Sequence, residues 1–354
     1  MTRRTRGFPL AAACALAMLL PVAAASDAPA GATASSTAPG SAVIETPPQP
    51  RNGHDIYRQF REGLSGPACT AGVSERWRKH FAGAPGRLAE ADEGTLALFG
   101  YVVDALQEAS LPTEYALIPF VESGYKPDAR SPLGPTGLWQ MIKLTARAQK
   151  VPIRSGYDGR LSPIDSTRAA VRYLKTLHGM FAGDWRLAAM AYNAGEYRIL
   201  GALRKAGQVA RDARPEELPG VSGITHAYVR KLQALACLLE EAEDGEQWMR
   251  ALDRPVPRLV PVDVAPDVTR VEGWAQANGR DPRHLRRLNP AFVAGRIRHD
   301  GNMVRLLVPT PAYAALEPVD AQGQGTGDAP AAVAQTRGPA PVADDPRGRG
   351  AGSD

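Results

Sequence analysis

Leu96, Phe99, Val102, Val103 and Leu106 recur at steps of three and four residues, the spacing of one face of an α-helix. Val171, Leu174, Leu177 and Phe181 repeat that spacing after a start signal at Pro163–Asp165. Asp184 suits the N-cap of another helix through Trp185, Leu187, Ala188, Ala191 and Tyr192, which Gly195 ends. A further helix is predicted from Thr225 to Glu240. Between 125 and 140 the density of Pro and Gly predicts a loop, then a short helix from about Leu138.

The pattern changes after Asp253, where Pro255, Pro257, Pro261 and Pro266 mark a connection. Two runs of β-type residues, Leu259–Val264 and Met303–Val308, bracket two short helical stretches, Val268–Asn278 and Asp281–Leu288. Strand, helix, helix, strand in so short a span predicts a small separate domain. The fold class is therefore mainly α, a helical domain followed by a small βααβ one.

The first 25 residues place Arg3, Arg4 and Arg6 before an apolar run, with small residues at Ala23 and Ala25, the layout of a cleaved signal peptide. Pro9 and Pro21 interrupt the run, so no stable membrane span is expected. Cys14 follows Arg6 too closely for a full apolar core, so lipid anchoring is not expected either. Residues 26–53 and 319–354 are rich in Ala, Pro, Gly, Ser and Asp and read as a disordered linker and tail. Removing the three arginines takes 42 basic residues to 39 against 37 acidic, a net charge of +2. That balance gives nucleic-acid binding no support. Cys69 and Cys237 remain, and in an oxidising compartment they can pair.

The stretch LPTEYALIPFVESGY carries the candidate chemistry. On a continuous helix Ile118 and Tyr115 would share a face with Glu122, and Pro119 would kink that helix or shift its register. A carboxyl on an apolar face loses solvation when charged, so its pKa rises and it can serve as a general acid. A lone Glu at a helix end is more often a solvated surface residue, and periodicity does not separate the two readings. The remaining segments do: Ser131-Pro132-Leu133-Gly134-Pro135-Thr136-Gly137-Leu138-Trp139-Gln140, then Ala191-Tyr192-Asn193-Ala194-Gly195, then Thr225-His226-Ala227-Tyr228-Val229.

In order and spacing, over about 105–240, these segments resemble the soluble lytic transglycosylase (SLT) domain, a goose-lysozyme-like fold. LPTEYALIPFVESGY, Tyr157-Asp158 and FAGDWRLAAMAYNAGEYRI are similar to the membrane-bound lytic murein transglycosylase D family. VDVAPDVTRVEGWAQANGRDPRHLRRLNPAF, ending in VRLLVP, resembles the degenerate LysM-like segment of that family, although it lacks the Gly-Asp-Thr-Leu opening of glycan-binding LysM modules. The expected organisation is a signal peptide (1–25), linker (26–53), N-terminal helical extension (54–104), SLT catalytic domain (105–250), LysM-like domain (258–312) and tail (319–354).

The resemblance implies a periplasmic, monomeric enzyme that cuts peptidoglycan glycan strands with Glu122 as acid and base. It also implies Ser131, Gln140, Tyr192, Asn193 and Tyr228 as substrate-binding residues. Tyr192 and Tyr228 have the alternative of core aromatics with satisfied hydroxyls, Gln140 that of bridging a loop. Ser123 is expected to support the turn after the acid, and Trp139 to pack. Asp128 and Asp158 are the nearest candidates for a second carboxylate, and the family pattern puts a nucleophile at neither. The six histidines show no paired metal-ligand spacing, so no metal and no organic cofactor are expected. A hydrolytic muramidase and a non-catalytic wall-binding protein are the competing functions.

Overall fold

A computed structural model describes residues 51–70, 72–90, 94–301 and 303–310. The expected signal peptide, the linker up to residue 50 and the tail lie outside the described residues. The chain opens with β1 (Arg51–Asn52), then α1 (Gly53–Glu62), α2 (Glu75–Phe81), α3 (Ala84–Ala89) and α4 (Thr95–Glu108). A 3-10 turn over Thr113–Leu117 leads into α5 (Ile118–Glu122), and α6 (Lys143–Ala148) follows. A short hairpin, β2 (Ile153–Arg154) and β3 (Tyr157–Asp158), precedes α7 (Pro163–Met180), α8 (Trp185–Ala194), α9 (Glu196–Ala206), α10 (Gly223–Glu243) and α11 (Glu246–Leu252). The chain then forms β4 (Pro255–Val256), β5 (Leu259–Val264), α12 (Val271–Ala277), α13 (Pro282–Leu288) and β6 (Val304–Pro309).

The long helices form where apolar periodicity predicted them, and the starts of α7, α8 and α10 are capped by side chains. Ser162 accepts from the Asp165 amide at the head of α7, and Asp184 accepts from the Arg186 and Leu187 amides at the head of α8. Their apolar faces share one core running from Ile56 to Val256, with Phe60, Phe99, Trp139 and Phe181 among its fully buried side chains. The small module has the expected order, β5 pairing antiparallel with β6 from Leu259↔Pro309 to Val264↔Val304. It has a core of its own around Val271, Leu285 and Leu306, while Leu288 and Leu307 join the larger core.

Arg51 and Asn52 fall in the segment that composition assigns to the linker, yet they form β1, paired with β4. The buried Arg51 guanidinium meets Asp104 of α4 at 2.7 Å, and Arg258 reaches the same carboxylate at 3.3 Å. Gly100 leaves room for this pair, since a Cβ there would lie 2.1 Å from Arg51 Nη2. Cys69 and Cys237 form a disulfide that ties the segment between α1 and α2 to the middle of α10.

Glu114, in the 3-10 turn, is 4% exposed. Its Oε1 accepts from the Ser65 amide at 2.8 Å, while Oε2 has no partner among the described residues. Burial lifts this carboxyl from 4.5 to about 7. The folded state then holds a proton that the unfolded chain has released, so stability falls between the two values as pH rises and levels off above the upper one. Glu114→Gln should remove that slope. Between about pH 5 and about pH 8, wild type should lose about 3 kcal/mol more than the variant in urea unfolding.

Candidate active site

Glu122 ends α5, and its position is set by how that helix begins and ends. Pro119 occupies the first turn of α5, where its missing N–H is no loss, so it starts a helix instead of kinking one. The 3-10 turn ahead of it changes the register, and Tyr115 and Ile118 both point into the core at 0% exposure. Past the acid, Gly124 and Tyr125 take φ of 61° and 62°, and such a left-handed conformation costs a non-glycine residue about 1 kcal/mol. Tyr125 is held there by its hydroxyl, which donates to the Ala116 carbonyl at 2.8 Å, and by its ring against Phe120, 4.7 Å between centroids. Ser123 supports the turn as expected, its hydroxyl donating to the Leu138 carbonyl at 2.8 Å.

The Glu122 carboxyl is partly buried, and Tyr228 of α10 donates to its Oε1 at 2.7 Å. Burial raises the Glu122 pKa, which the Tyr228 hydrogen bond and the charge of Lys231 oppose. Burial also holds Tyr192 and Tyr228 well above the usual phenol range, so both stay neutral donors. Lys231 escapes a motif reading because it lies one helical turn beyond Tyr228. Its ammonium also sits over the Trp77 ring, 4.7 Å from the centroid. Removing the Tyr228 hydroxyl takes away a bond that favours ionised Glu122, so its pKa should rise further in Tyr228→Phe. The expected result is an alkaline limb of the pH–rate profile displaced to higher pH and a cleavage rate about tenfold lower, read by muropeptide release across a pH series.

The loop over 129–141 faces this helix end. Gly137 has φ of 83°, and a Cβ there would meet the Arg160 carbonyl oxygen at 1.7 Å, so only glycine fits. Gln140 is also left-handed, with φ of 44°. These two positions turn the chain where a short helix was expected, and the helix begins at Lys143 instead. The Gln140 amide donates to the Gly137 carbonyl at 2.8 Å and the Ala129 carbonyl at 3.3 Å, so it bridges the loop. Ser131 is occupied in its own turn, its hydroxyl accepting from the Leu133 amide at 3.4 Å, and it has no hydrogen bond to the other predicted residues. Trp139 is fully buried and donates to Thr167 at 3.0 Å, which fits the packing role.

The end of α8 closes the arrangement. Tyr192 donates to the Trp139 carbonyl at 3.0 Å and lies close enough to Glu122 to feel its charge. Asn193 is exposed, and its Oδ1 accepts from the Thr225 hydroxyl at the head of α10 at 3.1 Å. Glu122, Tyr228 and Tyr192 thus converge. Asn193, Gln140 and Ser131 sit on the segments attached to them, Ser131 on the same loop as Gln140.

Asp158 caps the turn after β3 and pairs with Arg160 at 2.8 Å, which keeps it ionised below the usual carboxylate range despite partial burial. Arg160 in turn donates to the carbonyls of Gly134 (2.9 Å) and Met141 (3.3 Å), so the pair braces the loop instead of serving chemistry. Asp128 is exposed in a separate cleft. Among the described residues, the group of side chains that comes within metal-ligating reach is Cys69, Cys237 and Glu241, and its sulfurs are spent in the disulfide.

A partly buried acid under a buried tyrosine, on a helical scaffold beside a loop of hydrogen-bonding side chains, is the equipment of a lysozyme-like enzyme acting on glycosidic bonds. The family described as the transglycosylase SLT domain matches residues 103–214. A putative tributyltin chloride resistance protein of Alteromonas sp. (strain M-1) is 33% identical over 177 residues, 50% of this chain and 83% of that one. Membrane-bound lytic murein transglycosylase D of Escherichia coli (strain K12) is 34% identical over 145 residues, 40% of this chain and 31% of its own length. A peptidoglycan transglycosylase of Escherichia phage T7 is 41% identical over 83 residues, 23% of this chain and 6% of the phage protein. The chain belongs to the lytic transglycosylases that carry an SLT domain. It spans most of the Alteromonas relative and about a third of the Escherichia coli one.

Proposed function

We propose that the protein cleaves the β-1,4 bond between MurNAc and GlcNAc in peptidoglycan and closes the MurNAc into a 1,6-anhydro ring. The observation that carries this reading is the Glu122 carboxyl, driven toward its protonated form by burial while Tyr228 holds its orientation. Protonated Glu122 gives its proton to the glycosidic oxygen, and the C1–O bond breaks as the substrate's N-acetyl group stabilises the charge at C1. Glu122, now a base, takes the proton from the C6 hydroxyl of the same sugar, and O6 bonds to C1. The nucleophile belongs to the substrate, so no second carboxylate and no positioned water are required. The engagement of Asp158 by Arg160 supports this one-acid scheme.

Tyr192 and Asn193 orient the N-acetyl group near C1, Tyr228 positions the acid and covers the sugar, and Gln140 and Ser131 meet N-acetyl groups or hydroxyls along the strand. The βααβ module is a LysM-like domain following the catalytic one. The enzyme acts as a monomer in the periplasm, a placement supported by the disulfide, which needs an oxidising compartment, and by the Arg-led apolar start of the chain. Among the described residues no helix is long and apolar enough to cross a membrane.

Mass spectrometry of digested sacculi tests the reaction. The expected products end in 1,6-anhydro-MurNAc. Products heavier by one water, and those alone, would establish a muramidase, and no release at all would establish a binding protein.

A further inference from the structure

The loop that leaves Glu122 does more than turn the chain behind the acid. Its residues Gly124, Lys126 and Asp128 form one wall of a cleft of about 270 Å³, and His284, Arg287 and Leu288 of α13 form the other. The small module therefore builds half of a cleft that starts two residues beyond the acid. The space beside Gly124 is open, with no atom within 4 Å of where a Cβ would stand. Lys126 and Arg287 are exposed, and neither makes an ion pair among the described residues. Burial and the charge of Arg287 lower the pKa of His284, so it contributes a neutral ring. Among the described residues the lining thus presents two cations outside any ion pair, Arg287 with its charge acting on Asp281 of the same helix, and one carboxylate, Asp128.

A neutral glycan backbone offers those groups hydrogen bonds but no opposite charge. The peptide stem on the lactyl group of MurNAc does, because it carries free carboxylates and amino groups. We infer that the cleft between the Gly124–Asp128 loop and α13 is a peptide-stem subsite. Lys126 and Arg287 receive a stem carboxylate, and Asp128 faces a stem amino group. The inference rests on the peptidoglycan reading above. It gives the small module a role in choosing substrate, distinct from holding the enzyme to the wall.

The test compares cleavage rates on purified glycan strands that bear stems and on the same strands after an amidase has removed them. The proteins are wild type and the Lys126→Ala/Arg287→Ala double variant. Both positions are exposed, and circular dichroism confirms that the variant is folded. Wild type should prefer stem-bearing strands, and the ratio of the two rates should drop about tenfold in the variant, the worth of two exposed charge-assisted contacts. Raising the salt concentration should erode the wild-type preference in the same direction. An equal ratio in both proteins, or an equal fall on both substrates, overturns the subsite while leaving the transglycosylase reading intact. Failure of wild type to cleave either substrate overturns both.

Discussion

Glu122→Gln is expected to reduce release of anhydro-muropeptides by about three orders of magnitude, the scale of a lost general acid that also serves as base. The shape of the side chain is nearly kept, and a Gln carbonyl can still accept from Tyr228. Stability should therefore hold or improve at neutral pH, because an amide buries without the cost of a desolvated charge. The two readouts together separate chemistry from folding. Undiminished release from a protein that unfolds at the same urea concentration would remove Glu122 from the mechanism.

Reduction of the Cys69–Cys237 disulfide, or Cys69→Ser with Cys237→Ser, should lower stability by about 3–5 kcal/mol. The bond closes a sequence separation of 168 residues, and the unfolded chain gains the most freedom when a long loop opens. The effect should appear as a lower midpoint in denaturant without a change in pH profile, since neither cysteine contacts Glu122 or Tyr228. A midpoint that does not move on reduction would mean that packing between α2 and α10 alone fixes this region.

Much of the scaffold was legible because its helices are long and one-sided. α4 buries every residue that its spacing singled out, α7 and α8 bury most of theirs and leave Val171, Trp185 and Tyr192 partly buried, and Asp184 caps where it was expected to cap. β5 and β6 were visible as short Val- and Leu-rich runs, β5 with Pro261 inside it. The segments around the acid were harder to read. The shift from 3-10 turn to α5 depends on how Pro119 meets the core, and the turn at Gly137–Gln140 depends on a backbone approach from Arg160, which is remote in sequence. Arg51 looked like linker because its partner, Asp104, is 53 residues away.

The candidate site was legible as a set of segments, not as a geometry. Glu122, Tyr228 and Tyr192 come together, while Ser131 and Gln140 make their hydrogen bonds within the loop. Glu114 gave no signal, since its role comes from burial against Ser65 and no local pattern encodes that. Asp158 was visible only as an acid near the others, and its true work needs Arg160 and two carbonyls to be seen together.

The pairing of β1 with β4 brings residue 51 beside residue 256, so the helical part of the molecule starts and stops at one spot. A segment whose two ends meet can be handled as a cassette. It could be grafted into a surface loop of another protein with a single short scar. It could also be circularly permuted by joining those ends and reopening the chain elsewhere. The βααβ module leaves from that same junction, but its Leu288 and Leu307 belong to the larger core, so a module put in its place would have to supply apolar side chains at those two points.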